Sequence, residues 1–442
     1  MTAFLDLAVS AFLLALFGAG PARRLCAPGA SLWGLAGVAY GLGALLLTVE
    51  SLALSAAGIP WTLASMALPL LALSGGLFFT SGGTKELARP AARVPLAALL
   101  GGTLAAAHLA FSLASSTANS VDFVLFYGVK AALFAGSRGI PSAVMGHPLF
   151  VHAAPRYPPL MPIVEAWGVV VAGKMPWRFA PAVSLTWFLA GVAAIGSRLR
   201  GRLGPQGGAS VAAYWACAMA LSFAWSYSGG DGEAPLVFYV GGAAAWLLTE
   251  KPGESRLLPS LFLAGAALSK QEGLLAALAL TAGVLLRDAM EKRPRPVLRA
   301  ILPALLPVAA VFAWFGYEKL TGIPVGYRPP GPIAHMDPRL LPSIVPDLLR
   351  NLDAGSLGLS WALPLVVLAA NPKKLVRWIP ALTLTGAVFA ALLATYTSPV
   401  PIARSVVIAR TLPRACQPVL SLLILGAGVV AFGDPRGQAP DA

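Results

Sequence analysis

The sequence predicts an all-α polytopic membrane protein, and three observations carry that prediction. Hydrophobic residues make up 57% of the 442 residues and charged residues only 11%, against about 25% charged in a soluble domain. The mean hydropathy is +0.75. The apolar residues recur in runs near the roughly 20-residue length of a membrane span, with the charges in the connections between them. A soluble fold of this size needs a charged surface that this composition does not supply. Disorder and a disulfide-stapled secreted fold fit poorly for the same reason.

About 13 runs predict membrane helices: residues 4–19, 31–49, 60–79, 95–115, 179–197, 209–228, 234–249, 256–268, 271–287, 299–317, 356–370, 377–396 and 415–432. The first has no basic residue before it and Arg23 and Arg24 after it, so it reads as a helix rather than a signal peptide. The net charge of +14 resembles that of a nucleic-acid binder. Its distribution points elsewhere: the basic groups fall on alternate connections, as cytoplasmic loops require. No nucleic-acid partner is expected. Arg23/Arg24, Lys85/Arg89/Arg93, Arg198/Arg200/Arg202, Lys251/Arg256, Arg287–Arg299 and Lys373/Lys374/Arg377 then face the cytoplasm of a plasma-membrane protein. The N-terminus lies outside and the C-terminus inside. This holds if residues 157–173 do not cross, but form a juxtamembrane or re-entrant helix packed on protein. Lys174 and Arg178 are then at the outer headgroups.

Three parts follow: an N-terminal four-helix segment (1–115), a first large outer loop with juxtamembrane helices (116–178), and a membrane core (179–442) with outer loops 318–355 and 397–414. All the long connections lie on one side, as an outward-facing active site requires.

Polar residues in this outer layer need a reason. Asn119 or Ser120 caps a helix starting near Val121, with Val124, Leu125, Gly128 and Ala132 on its apolar side. Asp122 is then either a helix-start carboxylate or a base at the membrane surface. Glu165 interrupts an apolar run after a proline-rich path through Tyr157, and calls for Arg156, Lys174 or a metal as partner. His147 and His152 are a weak metal pair. Asp231 and Glu233, in a glycine-rich turn, suit Mg²⁺ or Mn²⁺ as oxygen ligands, or are ordinary turn residues. Lys270, Gln271 and Glu272 break two short apolar runs. Lys270 there suits a phosphate and Glu272 a partner or a hydroxyl; the alternative is a solvated turn. Arg404, Arg410 and Arg414 lie on the side poor in positive charge, where they meet either an anionic ligand or lipid headgroups. Tyr327, Arg328 and His335 are candidates for an acceptor groove. The three cysteines are far apart and form no cluster.

These motifs, in this order, resemble the membrane glycosyltransferases of the GT-C fold. The likeness is to the group that includes the protein mannosyltransferases and the lipid A aminoarabinose transferase. Asp122 falls where that family has its catalytic acid. His147-Pro148, Tyr157-Pro158-Pro159-Leu160 and Glu165-Ala166-Trp167 follow the family's outer-loop run. Gly229-Gly230-Asp231 stands for its Gly-Tyr-Ala-Asp turn, Ser269-Lys270-Gln271-Glu272-Gly273 for Thr-Lys-x-Glu-Gly, and Arg414 and Gln417 for its last outer loop. The likeness covers residues 116–432. Val121 replaces a frequent tryptophan, and four helices precede the loop where most relatives have one.

The resemblance implies a GT-C-like bundle and an inverting transfer of sugar from a polyprenyl phosphate to a lipid, glycan or protein acceptor. Asp122 is the implied base. Lys270, Arg410 and Arg414 hold the leaving phosphate, with a divalent ion near Asp231 as a further aid. Alternatives are a ligase or polymerase of lipid-diphosphate-linked glycans, a transporter or flippase, and a non-catalytic scaffold.

Overall fold

A computed structural model describes residues 2–26, 30–80, 96–115, 123–147, 150, 153, 157–174, 180–225, 232–251, 253–293, 296–323, 337–353, 357–397 and 404–433. Among them there is no strand. The helices are α1 (Thr2–Leu25), α2 (Leu32–Ala56), α3 (Leu63–Thr80), α4 (Leu96–Ser115), α5 (Gly128–Ser137), α6 (Ser142–Met145), α7 (Leu160–Ala172) and α8 (Ala180–Trp225). They continue with α9 (Glu233–Leu248), α10 (Leu257–Ser269), α11 (Gln271–Met290), α12 (Val297–Thr321), α13 (Leu341–Asp353), α14 (Leu357–Ala370), α15 (Ile379–Thr397) and α16 (Arg404–Phe432).

Seven helices among the described residues are long and apolar enough to cross a membrane: Leu5–Leu25, Leu32–Ala56, Leu63–Thr80, Gln271–Met290, Val297–Thr321, Pro372–Thr397 and Arg414–Phe432. The chain is an all-α membrane protein. Long apolar helices follow from the composition, because a backbone in hydrocarbon must satisfy its own N–H and C=O groups.

Two of the expected spans, 179–197 and 209–228, form one helical run, α8, bent at Gly204 (φ 77°, ψ 169°) ahead of Pro205. Proline has no N–H to continue the ladder, and glycine takes up the positive φ. Arg198, Arg200 and Arg202 therefore lie on helix rather than in a loop.

The centre is α9, buried along almost its whole length against α8, α10 and α16. Tyr239 donates to the Gly41 carbonyl on α2 (2.7 Å), and Trp215 on α8 donates to Ser421 Oγ on α16 (2.6 Å). Trp187 packs edge-on or tilted against Tyr40, Phe238 and Tyr239, the preferred aromatic arrangement.

The two ends of α9 differ. At its C-terminal end, ion pairs join α8, α10 and α11. Arg198 and Arg202 share Glu254 (2.8 and 2.5 Å), and Arg256 contacts Glu250 (2.9 Å) and Asp288. Arg287 donates to the Leu247 carbonyl (2.9 Å). Lys374 donates to the Val430 carbonyl (2.8 Å), which ties the 3₁₀ turns Pro372–Trp378 ahead of α15 to the end of α16. Several of the basic residues that orient the chain are thus paired with acids rather than solvated. The short helices α5 and α7 pack on each other, and α7 also on α1, α2 and α10.

Candidate functional site

Lys270 is the single residue between α10 and α11, and its backbone is extended (φ −157°, ψ 154°). The chain turns back so tightly that Gly273 rests on the Ala266 carbonyl, where any side chain would collide. The Lys270 carbonyl accepts from Gly273 N (2.9 Å), which closes the break. The Lys270 side chain is buried. Its Nζ donates to Glu233 Oε1 (2.5 Å) and lies 3.4 Å from Glu272 Oε1.

Glu233 is the first residue of α9 and is 1% exposed. A carboxylate suits a helix N-terminus, where unpaired N–H groups carry partial positive charge. Arg414, on α16, donates from Nε to the same Oε1 (2.7 Å) and contacts it through a terminal nitrogen. Three elements distant in sequence are thereby tied at one carboxylate. The carboxylates of Glu233 and Glu272 beside the Lys270 ammonium favour its charged form. The cluster opens outward at Glu272 (47% exposed side chain) and Arg414 (24%).

A second charged group adjoins it. Lys130 on α5 is 1% exposed, and Glu165 on α7 and Glu318 near the end of α12 are also buried. Burial pushes the Lys130 pKa down to about 7, against the raising pull of Glu318 and then Glu165. Its ammonium lies 5.5 Å from the Tyr157 ring and 5.7 Å from that of Tyr127, within cation–π range. Tyr157 also acts electrostatically on Lys270. The Tyr127 hydroxyl sits against Gly232, at the start of α9, close to the Ser269 carbonyl. The two tyrosines thus join the two charged groups into one polar layer.

Of the expected site residues, Lys270, Glu272, Arg414, Glu233 and Tyr157 come together here. Glu165 reaches the same layer through Lys130; Lys174 is exposed. Gln417 is buried one turn beyond Arg414. Arg404 and Arg410 lie on the leading turns of α16, with position 410 one helical turn before Arg414; their side chains are outside the description. Asp122, Asp231, Arg156, His152, Tyr327, Arg328 and His335 lie outside the described residues. The helix expected near Val121 appears as a π-helical turn (Phe123–Tyr127) running into α5. Its buried face is Phe123, Tyr127, Ala131 and Phe134, while Val124 and Leu125 are exposed. The three aromatic rings bury more area than the aliphatic set can.

Of the expected metal pair Asp231 and Glu233, the described residues include Glu233. Its Oε1 is shared by Lys270 and Arg414. Among the described residues, no group of three His, Cys, Asp or Glu side chains is arranged to hold an ion. Lys130 and Glu318 were not anticipated. The signal at Lys130 is a lone charge within an apolar helix, which is costly unless matched; Glu318, beside Lys319, carries no such signal.

No family model, no curated protein and no solved structure matches the chain. The fold and the charged layer define it as an all-α membrane protein with a buried, ion-paired polar site at one end of its central helix.

Proposed function

We propose that the chain is an inverting membrane glycosyltransferase that moves a sugar from a polyprenyl-phosphate donor to a lipid, glycan or protein hydroxyl. One observation carries this reading: Lys270 and Arg414 converge at a helix break, beside the short helices α5 and α7. Buried charges at such a break are expensive, and two cations from separate elements suit a phosphate. In this reading Asp122 takes the proton from the acceptor hydroxyl. The acceptor oxygen bonds to the anomeric carbon as the carbon–oxygen bond to phosphate breaks. The polyprenyl phosphate leaves with the electron pair, its charge met by Lys270, Arg414 and Arg410. A single displacement inverts the anomeric centre.

The GT-C-like bundle of about 13 crossings belongs to the same proposal. So does its orientation, with Lys270 facing outward and Arg198 and Arg256 facing the cytoplasm. A purely structural role for the ion pairs is the competing account.

Purified protein given a polyprenyl-phosphate sugar and an acceptor separates the two. Asp122→Asn should cut turnover by about 10²- to 10⁴-fold and leave donor binding intact, as loss of a general base does. Lys270→Gln should weaken donor binding. Unchanged binding and turnover in both variants would overturn the reading.

A further inference from the structure

At the far end of α9 from Lys270 lies a cavity of about 320 Å³ that the transfer reaction does not use. Its walls come from α2 (Gly34, Val38), α8 (Ala194, Ser197, Gly201) and Trp246 of α9, with Cys26 at its rim. Three cations line it: Arg198, Arg202 and Lys251. Among the described residues, Glu254 is the carboxylate paired with the two arginines. It accepts from Arg198 Nη1 (2.8 Å) and Nη2 (2.9 Å) and from Arg202 Nη2 (2.5 Å), and does not itself line the cavity. Burial would raise the Glu254 pKa, but the Arg198 and Arg202 charges and the Lys251 N–H hold it down at about 2, so it counts as one full negative charge.

The balance is three positive charges against one negative. Two guanidiniums sharing a carboxylate repel each other, and an anion in the cavity would relieve that repulsion. The lining also includes small and apolar residues: Gly34, Val38 and Ala194. Next to Gly34 on α2, Leu32 and Trp33 are exposed, and an exposed tryptophan is typical of the headgroup level. Arg198 is braced by the Trp246 ring, 5.4 Å from its centroid.

We infer that this cavity binds the phosphate headgroup of an anionic phospholipid, with Arg198, Arg202 and Lys251 on the phosphate and the acyl chains leaving past Leu32 and Trp33. A soluble phosphate would satisfy the cations equally, but has no use for the apolar wall or the exposed rim.

Native mass spectrometry of the full chain in detergent tests this, with phosphatidylglycerol, phosphatidylcholine or inorganic phosphate added. Phosphatidylglycerol should be retained in preference to phosphatidylcholine, and millimolar phosphate should not displace it. Arg202→Gln with Lys251→Gln should weaken retention about 30-fold, the contribution of two basic groups near a membrane surface. Arg198 is kept, so that Glu254 stays paired. Gly201→Leu gives a second test that does not depend on charge. A side chain at Gly201 meets open space, so it fills the cavity without a clash and should expel the lipid while the fold is retained. Equal retention of the two lipids, or retention unchanged in both variants, would overturn the site. Displacement by phosphate would overturn the lipid as its occupant.

Discussion

Glu233 is the residue on which the candidate site turns, because it is the shared acceptor of the buried Lys270 and the half-buried Arg414. Glu233→Gln removes the carboxylate that Lys270 and Arg414 share, and leaves Lys270 with the exposed Glu272, 3.4 Å away. Removing one partner of a buried pair typically costs about 3–5 kcal/mol. Thermal unfolding in detergent should therefore fall much further for Glu233→Gln than for Lys270→Met, which leaves Glu233 with Arg414. Equal losses would mean that the three side chains are not coupled. Lys130 gives a pH-dependent counterpart. Its folded pKa of about 7 lies below its ordinary 10.5. Between these values the unfolded chain holds a proton that the folded chain lacks, so this group's contribution to stability rises with pH in that window. Below pH 7 both states are protonated and the contribution is flat at its lowest. Wild-type unfolding midpoints should gain on those of Lys130→Met from pH 7 to pH 10, and parallel profiles would contradict the buried placement. Lys270 was legible in the sequence because a charge between two apolar runs stands out. Its pairing with Glu233 and Arg414 was not, since nothing local links residues so far apart along the chain.

Among the elements, the α10–α11 break sets the geometry of the site. Gly273 permits α11 to begin against the last turn of α10. Gly273→Ala would push a methyl group into the Ala266 carbonyl, so the helices must separate and Lys270 must move. The variant should lose donor binding and unfold at a lower temperature; both are measurable on one preparation. If binding survives while stability falls, the break matters for packing alone. Element existence was readable from run length, as α2, α12 and α15 illustrate. Connection type was less so. The α8 bend reads as a loop in the sequence because Gly204-Pro205 and three nearby arginines look like one. The arginines fit on helix only because Thr249 and Glu254, from another part of the chain, receive Arg198.

For the molecule as a whole, the opposed ends of α9 carry the proposed orientation. Lys174, exposed just past α7, and Lys251, exposed just past α9, should lie on opposite sides of the membrane. In intact cells an impermeant maleimide should label Lys174→Cys directly, but Lys251→Cys only after permeabilisation. The reverse pattern would invert the protein and place the charged layer in the cytoplasm. Composition made the membrane class readable, and the alternating basic connections suggested the sides. The inner ion-pair network was invisible because positive-inside loops look the same whether solvated or paired.

The shortness of α10 has an electrical consequence. At 13 residues it is about 20 Å long, whereas a bilayer's hydrocarbon is about 30 Å thick. In the proposed orientation, Lys270 and Glu233 therefore sit roughly a third of the way into the membrane's voltage drop. A phosphate monoanion drawn down to them from the outer surface moves against a potential that is negative inside. At about 2.3 kcal/mol per charge per 100 mV across the full thickness, that descent costs roughly 0.8 kcal/mol per 100 mV. An energised membrane would thus loosen the anion's hold on the site, and depolarisation would tighten it.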